Sequence, residues 1–445
     1  MFINLDKEDI TPLYEQLYQD IKKKILNGHL AGDVKLPSKR QMSADLAISM
    51  TTIERAYNLL IDENMIYTKE KSGHFVVPTE TLRTQDKKLS AIRLPELSES
   101  VLPLGKVDTS IVQNDVIRQL SAAVFSDISL LNSGNKSGEA ELKEAIREYL
   151  YVNRGVQCRT EQIFIGPSTE HLLEQVFYLL DYPKVTLEDP GYPTVKNVLE
   201  RLKIPYDTAP VEIDGINIET VKQLNNKLTH ITPSHQFPSG AVMSLNKRIR
   251  LLNAMSERDG YLIEDDYDSE FRYTGRPLSS LQGLDQNDRT IYMNTFSKSI
   301  YPSLRVAVMI LPPELAEKYY ESGLSCNVPR QMQHIVARFI NDGYLVRHIN
   351  RVRKFYGDKM EKAVAELKNY YPDVEITGEH TGMHFVLRVP GADLRSEAEK
   401  HKIISMSAYS LEEHFNDTVL VGIGGKSADE IVEILAEFLR EVMEE

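Results

Sequence analysis

The chain has 445 residues, of which 42% are hydrophobic and 26% charged, and its formal net charge is −13. This length predicts two or more packed units, and the composition is that of a globular protein rather than a fibrous or disordered one. The acidic balance excludes a protein whose whole surface serves to bind nucleic acid, so any DNA contact must come from a local patch.

The cysteines and the apolar runs bear on the compartment in which the chain works. Cys158 and Cys326 lie far apart and outside any Cys-x-x-Cys or Cys/His cluster, so neither a disulfide framework nor a bound metal is expected. No apolar run approaches the roughly 20 residues that span a bilayer, and the N-terminus leads directly into Asp6-Lys7-Glu8-Asp9. We therefore expect a cytoplasmic protein without a signal peptide or membrane anchor.

The N-terminal segment has the pattern of three short helices. Thr11-Pro12 is suited to begin the first, because threonine can cap free amides and proline is tolerated at the first helical position. Ser38 with Gln41 forms a capping box for the second helix, and Ser49 begins the third after only a few linking residues. Two short helices joined this closely predict a helix-turn-helix.

A hairpin pattern follows these helices. Two short apolar runs, 66–68 and 75–77, flank Lys71-Ser72-Gly73 and predict a wing. A capped helix pair alone is more often scaffold than a DNA reader, but here the order and spacing of the features resemble the winged helix-turn-helix of the GntR superfamily. The resemblance is carried by Pro12-Leu13-Tyr14-Glu15-Gln16-Leu17, Leu36-Pro37-Ser38-Lys39-Arg40, Ser49-Met50-Thr51-Thr52 and Ala56-Tyr57.

This resemblance implies contacts with double-stranded operator DNA. The helix from about Met50 to Glu63 would enter the major groove, while Arg40 and the wing approach bases or phosphates. Many relatives carry Arg in place of Met50, and some carry a second in place of Glu54, so the operator sequence is not carried over. The alternative is that the local lysines form only a solvated face. The residues assigned to DNA are Lys39, Arg40, Thr51, Thr52, Arg55, Gly73 and His74.

The remaining pattern divides the chain into domains. We expect a DNA-binding domain over residues 1–78, a polar linker over 79–108 and a long domain over 109–445. In the long domain apolar runs at 163–165, 185–187, 261–263, 291–293 and 306–311 alternate with helical patterns, which predicts a mostly parallel α/β sheet covered by helices. From about residue 332, long helical patterns mix with strand-like runs at 384–387 and 419–421, so a smaller α+β lobe is expected there.

A lysine with a characteristic set of neighbours stands in the long domain. In Thr295-Phe296-Ser297-Lys298 the lysine directly follows a predicted strand, at the sheet edge where ligands of open α/β sheets bind. Glu264-Asp265-Asp266-Tyr267 ends the preceding predicted strand, and Arg305 follows the lysine. Each residue alone has an ordinary structural reading, but their joint order resembles the fold-type I aminotransferases over residues 110 to 445.

The resemblance implies a pyridoxal 5′-phosphate cofactor bound as a Schiff base to Lys298. Asp265 would pair with the pyridine nitrogen, Tyr267 would hydrogen-bond the phenolic oxygen of the ring, and Tyr192 would stack on its face. Arg305 would bind the phosphate together with the strand-to-helix link Gly166-Pro167-Ser168-Thr169. The residues assigned to the cofactor are Ser168, Thr169, Tyr192, Asp265, Tyr267, Ser297, Lys298 and Arg305.

Together the two halves resemble the MocR family of bacterial transcription regulators, the GabR-like proteins. Its own motifs are similar to His235-Gln236-Phe237-Pro238-Ser239-Gly240 and to the run 264–271. The resemblance implies a homodimeric transcription regulator whose cofactor-bearing domain reports the state of a small-molecule effector. Catalytic aminotransferases have Asn where this chain has Phe237, so at most vestigial transaminase activity is expected.

The effector is left open by the sequence. Members that respond to γ-aminobutyrate hold its carboxylate with arginines that would fall near Thr194 and Gly425, and neither arginine is present. Either Lys426 or another base replaces them, or the effector is not a simple amino acid; pyridoxal phosphate itself, as in members that control its synthesis, needs no such clamp. Two alternatives remain: a working aminotransferase with a DNA-binding appendage, and a scaffold without cofactor.

Overall fold

A computed structural model describes residues 5–78, 99–273, 278–411 and 415–444. The chain divides into two compact units, Met1–Glu96 and Leu97–Glu445. Within the described residues, no helix is both long and apolar enough to cross a membrane. Residues 79–98 of the predicted linker lie outside the described part of the chain.

The first unit is a winged helix-turn-helix, as the sequence predicts. Its apolar core joins the first and third helices, with Leu17, Ile21, Ile53 and Tyr57 fully buried. The wing is antiparallel, with Ile66 paired to Val76. The elements are α1 (Leu13–Leu26), α2 (Lys39–Leu46), α3 (Met50–Asp62), β1 (Ile66–Lys69) and β2 (Gly73–Val76).

Serine side chains set the starts of the second and third helices. Ser38 Oγ accepts a hydrogen bond from the amide of Gln41 at 3.2 Å, and Ser49 Oγ accepts one from the amide of Thr52 at 3.1 Å. The predicted capping role of Thr11 is wrong, because Pro12 occupies the N-cap position and no side chain caps α1. Proline has no free amide and its carbonyl accepts the first helical hydrogen bond, so the helix begins at the next residue.

The second unit begins with a large α/β lobe. Its elements in chain order are α4 (Asn114–Phe125), α5 (Ala140–Arg154), β3 (Ile163–Gly166), α6 (Thr169–Leu179), β4 (Val185–Asp189), α7 (Pro193–Leu202), β5 (Tyr206–Glu212), β6 (Gly215–Ile216), α8 (Ile218–Leu224), β7 (Leu228–Ile231), α9 (Leu245–Ser256), β8 (Tyr261–Asp265), α10 (Leu281–Leu284), β9 (Thr290–Thr295), α11 (Phe296–Ser299), β10 (Ala307–Ile310), α12 (Pro313–Glu321) and α13 (Arg330–Asn341).

Eight strands form one sheet in the order β3-β10-β9-β8-β7-β4-β5-β6. The central strands β9, β8, β7, β4 and β5 run parallel, whereas β10 is antiparallel to both of its neighbours and β6 is antiparallel to β5. Apolar side chains fill both faces of this sheet, as a buried parallel sheet requires. The prediction of a mostly parallel sheet is therefore confirmed.

A smaller lobe closes the chain. It contains α14 (Tyr344–Tyr370), β11 (Glu375–Thr377), β12 (His384–Arg388), α15 (Arg395–Lys400), β13 (Ile404–Ser405), β14 (Thr418–Gly422) and α16 (Ala428–Glu444). Its four strands form a sheet in the order β11-β12-β14-β13. Most side chains in the core of this lobe come from Val352 and later residues. The preceding helix α13 packs instead with α4 and α5 in the large lobe.

The described end of the predicted linker packs on the second unit. Leu102, Leu104 and Val107 are buried, the first and last of them in the core of the small lobe. The carbonyl of Leu102 accepts a hydrogen bond from the amide of Gly422 at 3.2 Å. Residues 99–108 are therefore less exposed than a polar connector would be.

Candidate functional site

Strand pairing brings three of the predicted cofactor residues to one edge of the large sheet. Ala307 at the start of β10 pairs with Gly166 at the end of β3 and with Thr295 at the end of β9. Gly166, Ala307 and Thr295 therefore lie side by side across the three strands. Ser168, Arg305 and Lys298 are each within three residues of one of them along the chain. Ser168 is 130 or more positions before the other two residues in the chain. The three share one edge because β10 lies between β3 and β9.

Lys298 lies in the short helix α11, directly after β9, and is half-buried. Its Nζ atom lies 4.3 Å from the centroid of the Tyr267 ring. Burial lowers the pKa of Lys298 below its usual value, although the carboxylates of Asp268 and Asp265 favour the charged form. A lysine that loses its proton more easily can act as the nucleophile toward a carbonyl carbon.

Asp265 ends β8 and is 2% exposed. Its Oδ2 atom lies 3.7 Å from Nε2 of His230, and its Oδ1 atom has no hydrogen-bond partner within the described residues. A buried carboxylate oxygen without a donor is unfavourable, so this arrangement suits a ligand that brings an N–H group. The protonated ring nitrogen of pyridoxal phosphate is such a donor, and the site therefore fits that cofactor.

A histidine and a second aspartate orient Tyr267. His235 Nδ1 lies 2.8 Å from Asp268 Oδ2 and 3.1 Å from the hydroxyl of Tyr267. One ring nitrogen cannot both donate to Asp268 and accept from Tyr267, and the shorter contact assigns the Nδ1 proton to Asp268. The same N–H can also be shared with the oxygen of Tyr267, which orients the hydroxyl and leaves its own proton for a ligand.

The electrostatics of this group agree with that assignment. Burial alone would raise the pKa of Asp268, but His235, Lys298 and His384 together offset it and the pKa is lowered. Burial, together with the neighbouring carboxylates, raises the pKa of Tyr267 well above its usual value. The aspartate is therefore ionised and the tyrosine protonated near neutral pH.

The edge also offers groups suited to an anion. Ser168 is the N-cap of α6, and its Oγ accepts from the amide of His171 at 3.2 Å. The remaining free amides at this helix N-terminus, with the hydroxyl of Thr169, form a favourable place for a phosphate. Arg305 is exposed at the same edge. Ser297 is in the first turn of α11, and its amide donates a hydrogen bond to Thr295 Oγ1 at 3.2 Å.

Aromatic rings line the adjoining side of the site. The rings of Tyr192 and Tyr267 are parallel within 5°, with centroids 6.5 Å apart. Phe237 is 5% exposed and packs edge-on against Tyr192 at 5.3 Å and against Tyr409 at 5.2 Å. At this position the chain offers a ring and no hydrogen-bond donor to a ligand.

The two positions without arginine are occupied in different ways. Thr194 lies in the first turn of α7. A Cβ atom on Gly425 would lie 3.0 Å from Cδ of Lys106, so a larger side chain there would have to displace that lysine. Lys426 is the base that could replace the missing arginines. Its Nζ atom already pairs with Glu430 Oε1 at 3.2 Å, one turn further along the chain.

The candidate DNA-binding surface lies on the first unit. Arg40, Thr51 and Arg55 are exposed, and Thr52 is half-exposed. The hydroxyls of Thr51 and Thr52 lie 2.9 and 2.7 Å from Ser49 Oγ, so the first turn of α3 is tied to its cap. Arg55 lies over the ring of Tyr14, 3.9 Å from its centroid, a stacking that holds the guanidinium above α1.

Two of the residues predicted to contact DNA have partners within the protein. Lys39 Nζ lies 2.5 Å from Glu54 Oε1, so its charge is offset in the free protein. His74 is half-buried, with Nδ1 3.0 Å from Thr68 Oγ1 and its ring edge-on to Tyr57 at 5.2 Å. Gly73 opens β2 with a φ of 113°, a conformation that favours glycine at the tip of the wing.

Sequence reasoning missed His230 and Glu188, which stand close to the predicted cofactor residues. His230 lies in β7, a four-residue strand whose polar members hid it from the periodicity. Glu188 is buried at the end of β4 and precedes the motif in which Tyr192 was found. His235 and Asp268 stand within the quoted motifs, but their separation of 33 positions gave no signal that the two side chains pair.

Comparisons with known proteins agree with this architecture. Residues 101–422 match the family described as "Aminotransferase class I and II", and residues 13–76 match "Bacterial regulatory proteins, gntR family". An archaeal alanine:glyoxylate aminotransferase shares the fold, with a TM-score of 0.72 at 23% identity over 78% of this chain and 92% of that one. The fold and site define a DNA-binding winged helix-turn-helix joined to a class I and II aminotransferase domain, a fold that implies dependence on pyridoxal phosphate.

The chain belongs to the MocR/GabR-type family of helix-turn-helix transcription regulators. It is 37% identical to the uncharacterized HTH-type transcriptional regulator YdeL of Bacillus subtilis over 95% of both chains. It is 32% identical to the probable rhizopine catabolism regulatory protein MocR of Rhizobium meliloti over 86% of this chain and 83% of that one. The pyridoxine biosynthesis transcriptional regulator PdxR of Corynebacterium glutamicum is 28% identical, over 86% and 85%.

Proposed function

We propose that this DNA-binding regulator holds pyridoxal phosphate on Lys298 and that the state of this site controls how the winged helix binds its operator. The buried, unpartnered Oδ1 of Asp265 carries the proposal, because a resident carboxylate without a donor is costly unless a ligand completes it. Lys298, with its lowered pKa, stands at the same edge of the sheet. The cofactor supplies a carbonyl carbon to the lysine and a protonated nitrogen to the aspartate.

The other cofactor residues take distinct parts in this proposal. Tyr267, oriented by His235, would donate a hydrogen bond to the phenolic oxygen, and Tyr192 would stack on the ring. Ser168, Thr169 and Ser297 surround the phosphate with hydroxyls and amides at the start of α6 and α11, and Arg305 adds the charge.

The effector is pyridoxal phosphate itself or an amino compound held beside it. The similarity to a regulator named for pyridoxine biosynthesis supports the first. Neither Thr194 nor Gly425 offers a cation for a carboxylate, and Lys426 is paired with Glu430, which disfavours a simple amino acid. Titrating the operator complex with pyridoxal phosphate, with and without added amines, separates the two.

A working aminotransferase is the rival function, since Lys298 and Asp265 stand where such an enzyme needs them. Phe237 opposes it, because no side chain at that position can donate a hydrogen bond to the phenolic oxygen. A steady-state assay of keto acid formation tests the rival. Sustained turnover at enzyme-like rates would favour it, and the expected result is at most a slow, vestigial activity.

The regulator is proposed to act as a homodimer in the cytoplasm. Phe125, Ile128 and Leu131 leave 68%, 78% and 76% of their surface exposed on and beside the end of α4, an apolar group that a second copy would cover. The free Cys158 and Cys326 suit a reducing compartment. Ile128→Asp is expected to shift the protein toward monomer in sedimentation velocity, whereas Ile213→Asp, at a position 96% exposed in the same unit, is the matched control. An unchanged Ile128→Asp dimer would contradict this placement.

The DNA contacts are assigned to α3 and to the wing of the domain proposed for residues 1–78. Arg40, Thr51 and Arg55 face solvent, and Thr52 stands beside them in the first turn. Lys39 would leave Glu54 and bind a DNA phosphate. Gly73 would let the wing approach the DNA backbone, and His74 holds the wing against α3 through Tyr57. A linker over 79–108 would join this domain to the cofactor-binding domain at 109–445.

Spectroscopy of the purified protein tests the cofactor proposal directly. Pyridoxal phosphate linked to a lysine absorbs in the visible, and this band should appear in the wild type and be absent in Lys298→Ala. The exposed Lys227→Ala is the matched control and should keep the band. An identical visible band in Lys298→Ala would assign the linkage to another residue.

A further inference from the structure

A cavity of about 200 Å³ adjoins the cofactor residues in the large lobe. It lies between the end of β4, the first turns of α7, the start of β5 and the segment 408–411 of the small lobe. Tyr192 lines this cavity and also faces Tyr267. His230, another lining residue, lies 3.7 Å from Asp265. The cavity is therefore next to the cofactor site and shares a side chain with it.

The cavity contains a buried acceptor that the cofactor proposal does not use. Glu188 is 6% exposed, and its Oε2 atom accepts from the amide and the hydroxyl of Thr232 at 3.1 and 2.7 Å. Its Oε1 atom has no partner within the described residues. Burial raises the pKa of Glu188 to about 7, so near neutral pH part of this carboxyl group is protonated in the free protein. A cation bound beside it would favour the ionised form.

The rest of the lining favours positive charge. Tyr192, Tyr206 and Tyr409 present three aromatic side chains, whose faces attract cations. Lys196 is the one Lys or Arg among the described lining residues, and its Nζ lies 3.9 Å from Glu200 Oε1. Its ammonium therefore has an exposed acid beside it that is not among the lining residues.

We propose that this cavity binds an organic ammonium ion, with Glu188 as the acceptor of its charge and the tyrosine rings around it. The inference rests on the proposed function, because it names the class of amino compound that acts beside the cofactor. It accounts for the absence of arginine near Thr194 and Gly425: the charge to be recognised belongs to the amine, not to a carboxylate. Because Tyr192 is shared, filling the cavity perturbs the ring that faces the cofactor.

The test uses the full-length protein with pyridoxal phosphate bound, and choline as the probe. Choline carries a permanent positive charge and cannot form an imine, so a response to it cannot come from exchange at Lys298. The neutral molecule of the same shape, 3,3-dimethyl-1-butanol, is the matched ligand. Calorimetry should show choline binding at least about tenfold more tightly than the alcohol, the factor expected for one charge-assisted contact.

Variants assign the preference to the cavity. Glu188→Gln keeps the size of the side chain and should abolish the preference for choline over the alcohol. Glu433→Gln, at an exposed position outside the cavity lining, is the control and should leave the preference in place. Tyr206→Leu removes one aromatic ring from the cavity at a half-exposed position. This variant should bind choline several-fold more weakly than the wild type. Thermal melts and the visible band of the cofactor report whether each variant is folded.

The outcomes separate this inference from the proposed function. No choline binding, equal binding of the two ligands, or a preference that survives in folded Glu188→Gln would overturn the ammonium site. A second outcome is that the cofactor leaves operator affinity unchanged while choline still binds the wild type more tightly than Glu188→Gln. In that case the ammonium site is supported and the proposed function fails. If the complex responds to pyridoxal phosphate and choline does not bind, the proposed function stands alone.

Discussion

Replacing Asp265 by asparagine tests whether this carboxylate serves a ligand or the fold. Asparagine keeps the shape of the side chain but removes its charge. A hydrogen bond to a charged group contributes roughly 1.5–3 kcal/mol, so losing the pair with a protonated ring nitrogen should weaken pyridoxal phosphate about 10- to 150-fold. The Oδ1 atom that would be lost has no hydrogen-bond partner within the described residues, so no intramolecular bond at that atom is broken.

The same substitution should not destabilise the protein without cofactor. Asp265 is 2% exposed, and the ion-pair partner that it has among the described residues, His230 at 3.7 Å, is beyond hydrogen-bond distance. Removing a buried charge that lacks a good partner relieves a desolvation cost of roughly 1–3 kcal/mol. The melting temperature of the cofactor-free Asp265→Asn variant should therefore equal or exceed that of the wild type.

Two measurements decide the matter. Cofactor-free protein is titrated with pyridoxal phosphate while the visible absorption is followed, and thermal melts are recorded without cofactor. Asp373→Asn, an exposed aspartate of the same unit, is the control and should change neither quantity. If the variant binds pyridoxal phosphate as tightly as the wild type and melts at a lower temperature, Asp265 is a structural residue and not a cofactor ligand.

Three further predictions concern stability, DNA binding and pH. Asp266→Ala leaves Arg154, which it holds at 2.7 Å, as an unpaired buried charge, and thermal or urea unfolding should show a loss of about 3–5 kcal/mol that Arg154→Met partly restores. Glu54→Gln frees Lys39, so operator binding should tighten and log affinity should fall more steeply with log salt, by about one unit of slope; an unchanged slope would contradict the assignment of Lys39 to a phosphate. Burial, with His235 beside it, lowers the pKa of His384 to about 3, below its unfolded value, so the stability it contributes is present above pH 6.5 and lost as pH falls. Melts at pH 7 and pH 5 should therefore show less acid destabilisation in His384→Asn, by about 2 kcal/mol.

The elements that sequence reasoning found are those with a local signature. The helix starts at Ser38 and Ser49 and the hairpin around Lys71-Ser72-Gly73 have short-range signals, and the structure has all three. The strand before Lys298 was found because its apolar run is uninterrupted and buried on both faces. A local pattern of this kind is sufficient to place a residue at the edge of a sheet.

The elements it missed depend on contacts between distant segments. β7 has only four residues, two of them polar, and it is a strand because β4 and β8 pair with it on either side. Leu102 and Val107 read as part of a linker, but the small lobe supplies the apolar surface that buries them. His230 became a neighbour of Asp265 only once β7 was placed beside β8.

The same limit applies to the candidate site. Order along the chain assigned Asp265 and Lys298 to cofactor chemistry, but it could not show that Asp265 lacks a partner or that His235 orients Tyr267. Nor could it show the cavity beside Tyr192, which segments from both lobes enclose. These features come from packing, and they are the ones on which the proposals rest.

The most direct test of the central claim is operator binding as a function of pyridoxal phosphate. Cofactor-free protein on labelled DNA from upstream of its own gene is titrated with pyridoxal phosphate, and complex formation is followed by fluorescence anisotropy for the wild type, Lys298→Ala and Lys227→Ala. The operator affinity of the wild type and of Lys227→Ala should change on titration, alone or with an amine present, whereas Lys298→Ala should not respond. If pyridoxal phosphate, alone or with an amine, changes the operator affinity of none of the three proteins, then the cofactor site does not control DNA binding.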